Sequence, residues 1–382
     1  MVLARWPWFG AGSRGSKIGF CAGGLSRTAL RLSLLVLALV SPVHGAGAEI
    51  GQGVPHEDAG DLAQQQAPAP APVPELEPIE TLSPDQPGDR GDGPGSGWSK
   101  PRRIRHVVVI GIDGLGGMYL AFAATPVLDG LMRRGAWTLE MSTVTPSKSS
   151  PCWMSMISGV SPREHGVKSN DWRPGDSRPP ATLFKQLRIY RPKAKIVVLH
   201  DWDGFGRLVE KGVADKMGSP GDSTRTIEAG IRIFLKEKPD LLFLQLDSLD
   251  GAGHKSGWGS KGYLRVLSAH DALIGKFLRS LEQADLLDET LILITADHGG
   301  KGKSHGGGSP QEMRIPFILI GPTVLNVHLQ SQTRIYDIAA TIAHIFRLPM
   351  APRWIGKPIL EALVSPEDGV SPPGPTTARK GR

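Results

Sequence analysis

The sequence predicts an α/β fold, three layers deep (αβα), in which a mostly parallel central sheet carries helices on both faces. Two observations predict it. Short apolar runs with little alternation recur along the chain, as expected of strands buried on both faces. Stretches with helical periodicity lie between them. The two alternate through residues 104–362, about 260 residues and long enough for one large core.

In chain order, His106–Ile112 reads as a β-branched parallel strand, and Asp113 follows its carboxyl end. Residues 145–159 contain a helix, because Pro151 suits its first turn and Gly159 its end. Ser149 and Ser150 then lie at its amino terminus, where free N–H groups and the dipole favour an anion. Either serine also suits an ordinary helix cap. Ala194–Leu199 is a further strand, followed by His200, Asp201, Trp202 and Phe205. The two aromatic rings suit either stacking on a base or aryl group, or packing in the core. Thr224–Lys236 has helical periodicity, and Leu241–Leu246 is a strand that runs into Asp247, Asp250 and His254. Leu264–Leu281 is helical, and Leu291–Ala296 is a strand that delivers Asp297 and His298. His305 follows in a glycine-rich segment, and Ile335–Phe346 reads as an amphipathic closing helix. His270 and His344, within helices, are assigned to packing or surface.

Ligands in open α/β sheets bind outside the carboxyl ends of the strands. Asp113, Ser149, Asp250, His254, Asp297, His298 and His305 therefore gather at one edge, however distant in sequence. Singly, each has a plain reading: a strand-ending Asp is often a turn residue or cap, and His305 a solvated loop residue. Asp250-Gly-Ala-Gly-His254 says more, since two polar groups can face one centre while glycines permit close backbone approach. Together the seven supply carboxylates, imidazoles and one hydroxyl. That is the chemistry of a two-metal site around a serine nucleophile, and it points to a metal-dependent hydrolase of phosphate esters.

Order and spacing resemble the nucleotide pyrophosphatase/phosphodiesterase branch of the alkaline phosphatase superfamily. The matching segments are Ile110–Leu115, Pro146–Cys152, Ser161–Gly166, Asp250–His254, Ala296–Gly299 and His305-Gly306. The resemblance implies an alkaline-phosphatase-like domain holding two divalent ions, zinc in this family. Asp250, His254 and His305 would hold one. Asp113, Asp297, His298 and Ser149 would hold the other, with Ser149 as nucleophile and a covalent seryl-phosphate on the path. The substrate class it implies is a small phosphodiester or nucleotide.

One departure stands out: the family's phosphate-contacting Asn falls on Cys152, and a thiol is a poor donor beside an amide. Asn170 is a candidate substitute, and a packing role for Cys152 is favoured over metal binding. Trp153 stands where a sulfatase needs Arg, which argues against that chemistry. Phosphomonoesterase and phosphoryl-transferase activities on the same core, and a metal-binding pseudoenzyme, are the competing readings.

The chain ends set the context. Five of the formal +7 charges lie in residues 1–48, which contain no acid. The apolar stretch Leu30–Val40 is short for a membrane span, and Ala46–Ala48 offers a cleavage site. Residues 1–48 thus read as a signal peptide, and the protein is expected to be secreted or periplasmic. The mature chain then has no membrane span and too little excess charge to suggest a stable nucleic-acid partner. Residues 49–103 read as a disordered Pro/Ala-rich linker and residues 363–382 as a disordered tail. Of the two cysteines, Cys21 leaves with the leader, so the mature chain has no intrachain disulfide.

Overall fold

The computed structural model describes residues 104–364. The predicted signal peptide, the linker and nearly all of the tail lie outside the described residues.

Among the described residues, eight strands form one sheet: β1 His106–Ile112, β2 Ala136–Ser142, β3 Ile196–His200, β4 Lys216–Gly218, β5 Leu241–Leu246, β6 Thr290–Thr295, β7 Arg314–Ile320 and β8 Val327–His328. Ten α-helices connect them. The first five are α1 Pro126–Met132, α2 Ser149–Ser158, α3 Pro162–His165, α4 Leu183–Tyr190 and α5 Asp203–Gly206. The rest are α6 Ser223–Glu237, α7 Ser248–Ser256, α8 Lys261–Glu282, α9 Pro310–Met313 and α10 Asp337–Ile345. The strand order is β4-β3-β5-β1-β6-β7-β2-β8. Every pairing is parallel except those of β7, which runs antiparallel to both β6 and β2. The predicted strands appear within one or two residues of their expected bounds.

Side-chain alternation along β1 separates the two helical layers. Gly111 faces α2, where Trp153 packs over it, while His106, of opposite parity, meets Phe234 of α6 at 5.2 Å. Helices α1, α6, α7 and α8 pack among themselves on one side, and α2, α4 and α10 on the other. β1, β5 and β6 are buried along their whole length, which explains their unbroken apolar character.

Register then places the chemistry. Ile112 pairs with Leu246, and Gly111 with Thr295. Continuing each pairing past the strand ends brings Asp113 level with Asp247 on one side and Asp297 on the other. Ser149 reaches the same edge from β2, which lies beyond β7 in the sheet. Its connecting loop is tied down where the Thr143 hydroxyl donates to the Asp297 carbonyl.

α2 and α3 are joined by a buried polar contact. His165 Nδ1 accepts from the Val167 N–H at 3.0 Å, so its Nε2–H donates to Ser155 Oγ at 2.9 Å. That tautomer makes Ser155 a structural partner and not a base-activated nucleophile. Burial holds the imidazole neutral and lowers its pKa to about 4. The unfolded chain protonates at the ordinary histidine value, so this contribution to stability is complete above about pH 6.5. It is lost as pH falls towards about 4. Urea midpoints should therefore drop across this window in the native protein, and His165→Gln should flatten that slope.

Candidate metal centre

Two strand-end aspartates, Asp113 and Asp297, and Asp250 on α7 each leave one carboxylate oxygen bare. Asp113 Oδ2 accepts from Trp153 Nε1–H at 2.9 Å and from Gln245 Nε2 at 3.2 Å. Asp297 Oδ1 accepts from the Gly114 N–H at 3.2 Å. Asp250 Oδ2 lies 3.3 Å from His254 Nε2. Asp113 Oδ1, Asp250 Oδ1 and Asp297 Oδ2 are buried with no hydrogen-bond partner. Orphaned buried oxygens of this kind call for a cation or a proton.

The imidazoles are oriented to match. His254 Nδ1–H donates to the Lys303 carbonyl at 3.0 Å, His298 Nδ1–H to Gly299 at 2.8 Å, and His305 Nδ1–H to Ser147 at 2.8 Å. A carbonyl can only accept, so in each neutral ring Nε2 carries a lone pair. Second partners that fix the tautomer are typical of metal-binding histidines. His254 Nε2 and His305 Nε2 face each other at 3.1 Å. Two acceptors held this close leave room for a cation bound by both.

Spacing supplies a second test of fit. Ligand atoms about 2.0–2.1 Å from a tetrahedral zinc ion are about 3.3 Å from each other. His298 Nε2 lies 3.4 Å from Asp113 Oδ1, 3.3 Å from Asp297 Oδ2 and 3.3 Å from Ser149 Oγ. His305 Nε2 lies 3.7 Å from Asp250 Oδ1. Donor atoms of Asp113, Asp297 and His298 fall within 4.8 Å of one another, as do those of Asp250, His298 and His305. His298 thus stands between the two groups, stacked on His305 at 3.9 Å. Both groups fit a divalent metal ion.

Electrostatics agree with the geometry. Burial, then the charges of Asp297, Asp250 and Asp247, push the Asp113 carboxyl well up, and burial with Asp250 does the same to Asp297. Burial raises Asp250 to about 7. His298 is held well below its ordinary value by burial, so its contacts with Asp113 and Asp297 are not ion pairs. Carboxylates gathered around neutral imidazoles lack a positive partner, and a bound cation is the partner they need.

The structure places the remaining expected residues as follows. Ser149 is the first residue of α2, not its cap: Lys148 occupies the N-cap position, and Ser149 Oγ faces His298. Asn170 lies beside it, with Oδ1 accepting the Ser150 N–H at 2.9 Å. Cys152 is fully buried, with Sγ directed at the Val144 and Pro146 carbonyls at 3.8 Å, and burial raises its pKa. The expectation of a substrate contact there is corrected, since a thiol enclosed in the core does not meet substrate. Of the two readings of Phe205, substrate stacking is corrected for the same reason and core packing holds: it is fully buried and stacked on Phe243 at 5.1 Å. Trp202 is half-buried and covers Gly204.

Sequence reasoning missed Trp153, Gln245, Trp258 and Tyr263. Trp258 donates to the Gly114 carbonyl at 2.8 Å, and Tyr263 OH to the same atom at 3.0 Å. Trp258 also packs edge-on against His254 at 5.2 Å. Any side chain at Gly253 or Gly300 would collide with this indole, which explains glycine in both motifs. The signal available in advance was the pairing of those glycines with a nearby tryptophan.

The sequence matches the family described as Type I phosphodiesterase / nucleotide pyrophosphatase over residues 107–202 and 221–305, which span every donor above. The chain belongs to that family. This phosphodiesterase-family chain is 23% identical to ectonucleotide pyrophosphatase/phosphodiesterase family member 3 of Rattus norvegicus over 220 residues, 50% of this chain and 24% of the relative. It is 31% identical to the phosphopentomutase of Alkaliphilus oremlandii over 130 residues, 34% of this chain and 31% of that one. It thus spans only about a quarter to a third of these relatives' length. In fold it resembles murine ectonucleotide pyrophosphatase / phosphodiesterase 5, with a TM-score of 0.59 at 15% identity, covering 68% of this chain and 100% of that one. The alkaline phosphatase PafA gives 0.60 at 11% identity, covering 70% and 100%. The fold is therefore alkaline-phosphatase-like.

Removal of divalent metal should lower the melting temperature of this phosphodiesterase-family chain, and Zn²⁺ added back should restore it. A ligand at a hundred times its Kd stabilises by about 2.7 kcal/mol. Asp297→Asn should reduce the metal-dependent shift, read by differential scanning calorimetry with and without chelator.

Proposed function

We propose that the chain is a secreted two-zinc phosphodiesterase/nucleotide pyrophosphatase, which hydrolyses phosphoester or phosphoanhydride bonds through a covalent seryl-phosphate. The observation that carries this reading is the convergence of Ser149 Oγ, Asp113 Oδ1 and Asp297 Oδ2 on His298 Nε2 at 3.3–3.4 Å. Asp113, Asp297, His298 and Ser149 would hold one ion, and Asp250, His254 and His305 the other. When bound, the ions would supply Lewis-acid polarisation of phosphoryl oxygens and lower the pKa of hydroxyl and water at neutral pH.

The chain's own groups supply position. Ser149 Oγ forms the bond to phosphorus as the bond to the leaving oxygen breaks, and water then cleaves the seryl ester to restore the hydroxyl. The positive end of α2 favours the phosphoryl group at Ser149. Asn170 Oδ1 is occupied by Ser150, so its NH₂ group is the one left to donate to a phosphoryl oxygen. The Asn170 carbonyl in turn accepts from Arg207 Nη2 at 3.3 Å. Arg207 and Met154 line a cavity of about 600 Å³ together with Trp172 and Leu208. That cavity gives room for the organic part of a substrate, in place of the Trp202–Phe205 pair. The diester or nucleotide class rests on the family match. Secretion rests on the basic leader and the cleavage site after it.

The test compares bis-p-nitrophenyl phosphate with p-nitrophenyl phosphate, using zinc-loaded and chelated protein. The diester should be preferred and chelation should abolish turnover. Ser149→Ala should lower kcat by about 10⁴-fold or more, while Ser150→Ala stays near the native value. Asn170→Ala should cost about 10²-fold. Full turnover by Ser149→Ala would sink the seryl-phosphate path, and a monoester preference would move the assignment to a phosphatase.

A further inference from the structure

Two donors converge on Asp113 Oδ2 from different elements. Trp153, on α2, reaches it with its indole N–H at 2.9 Å, and Gln245, on β5, with its amide at 3.2 Å. Both side chains and the carboxylate are fully buried. The fold makes specific room for the indole. A Cβ at Gly111, near the end of β1, would lie 2.4 Å from Trp153 Cη2, and such an approach is excluded sterically. Phe205 and Phe243 hold the ring edge-on at 5.3 Å and 6.2 Å.

The Gln245 amide has only one workable orientation. Its Oε1 accepts the backbone N–H groups of Asp201 and Trp202, each at 3.1 Å. Those groups can only donate, so the amide NH₂ must face Asp113. One side chain therefore ties the loop after β3 to the carboxylate.

We propose that Trp153 and Gln245 are positioning residues that hold Asp113 as a one-oxygen ligand, and so set the affinity of the Asp113–Asp297–His298 group for a divalent ion. The proposal rests on the metal-centre reading above. With Oδ2 engaged twice, the carboxylate cannot rotate to chelate with both oxygens, and Oδ1 alone is presented beside His298 Nε2 at 3.4 Å. Donors aimed at a ligating carboxylate act through its orientation and basicity. Gln245 adds a mechanical link: displacement of the Asp201–Trp202 backbone is transmitted to the ligand.

The experiment measures Zn²⁺ affinity by competition with a fluorescent chelator. The proteins are the native chain, Trp153→Phe, Gln245→Met and the double variant, each also made in an Asp113→Asn background. Trp153→Phe keeps an aromatic ring but removes the N–H, and Gln245→Met keeps length but removes the amide. Each single variant should weaken one binding event by about 10–100-fold and leave the other unchanged. The double variant should fall short of additivity, because both donors act on one group. In the Asp113→Asn background neither should weaken binding further. Native affinity in both single variants would overturn the proposal. Equal weakening with and without the Asp113 carboxylate would overturn it too, as the mark of a general loosening. Near-UV circular dichroism checks folding, and if Trp153→Phe fails to fold, Gln245→Met and Gln245→Glu carry the same comparison. A native protein that binds no Zn²⁺ would overturn the metal-centre reading itself, and this proposal with it.

Discussion

Burial of negative charge at one edge of the sheet is the constraint around which the rest is arranged. Asp113 and Asp297 have no solvent exposure, and Asp250 is largely enclosed beside them. Taking even one carboxylate out of water costs several kcal/mol unless it is paired or protonated. The neighbouring imidazoles do not relieve this, because burial keeps His298 uncharged and carbonyls fix the outer nitrogens as donors. Asp113 and Asp297 instead receive hydrogen bonds on one oxygen, and a bare oxygen on each of the three is buried at the sheet edge. The arrangement is self-consistent only when positive charge enters from outside the polypeptide.

Sheet topology makes that concentration of charge possible. β5, β1 and β6 are adjacent and parallel, so their ends deliver three acidic groups side by side. α7 then carries Asp250 and His254 four residues apart, on one helical face. The nucleophile candidate arrives from across β7 and is held by the contact between Thr143 and the Asp297 carbonyl. Four chain segments with no proximity in sequence meet because strand order, not chain order, decides what is adjacent.

Much of this was legible in the residues. Unbroken apolar runs ending in Asp113, Asp247 and Asp297 announced parallel strands, because a strand covered on both faces has no polar alternation to show. The pairing of Ser149 with helix start and of Gly159 with helix end was equally readable, and Gly159 adopts the left-handed conformation that a helix end favours. What the sequence hid was side-chain direction. Matching Pro146–Cys152 segment by segment put Cys152 where a phosphate contact was wanted, yet three residues along a helix its Sγ faces the core. Asn170 reaches the nucleophile helix through an irregular loop, whose path no periodicity reveals. Trp153, Gln245 and Phe205 sit within runs of ordinary core composition. Only the hydrogen bonds of the first two distinguish them from it.

The two donor groups differ in their access to water. Within the inner group, His298 is completely enclosed, whereas the His254 side chain is 47% exposed at the rim of the outer one. Rotation of a rim imidazole opens a path for solvent or a competing chelator, while an enclosed group opens only with the sheet edge. Ions held in the two places would therefore exchange on different timescales. With the two-ion centre proposed above, a short treatment with chelator would yield a half-loaded protein, whose packing would persist after its chemistry had been switched off.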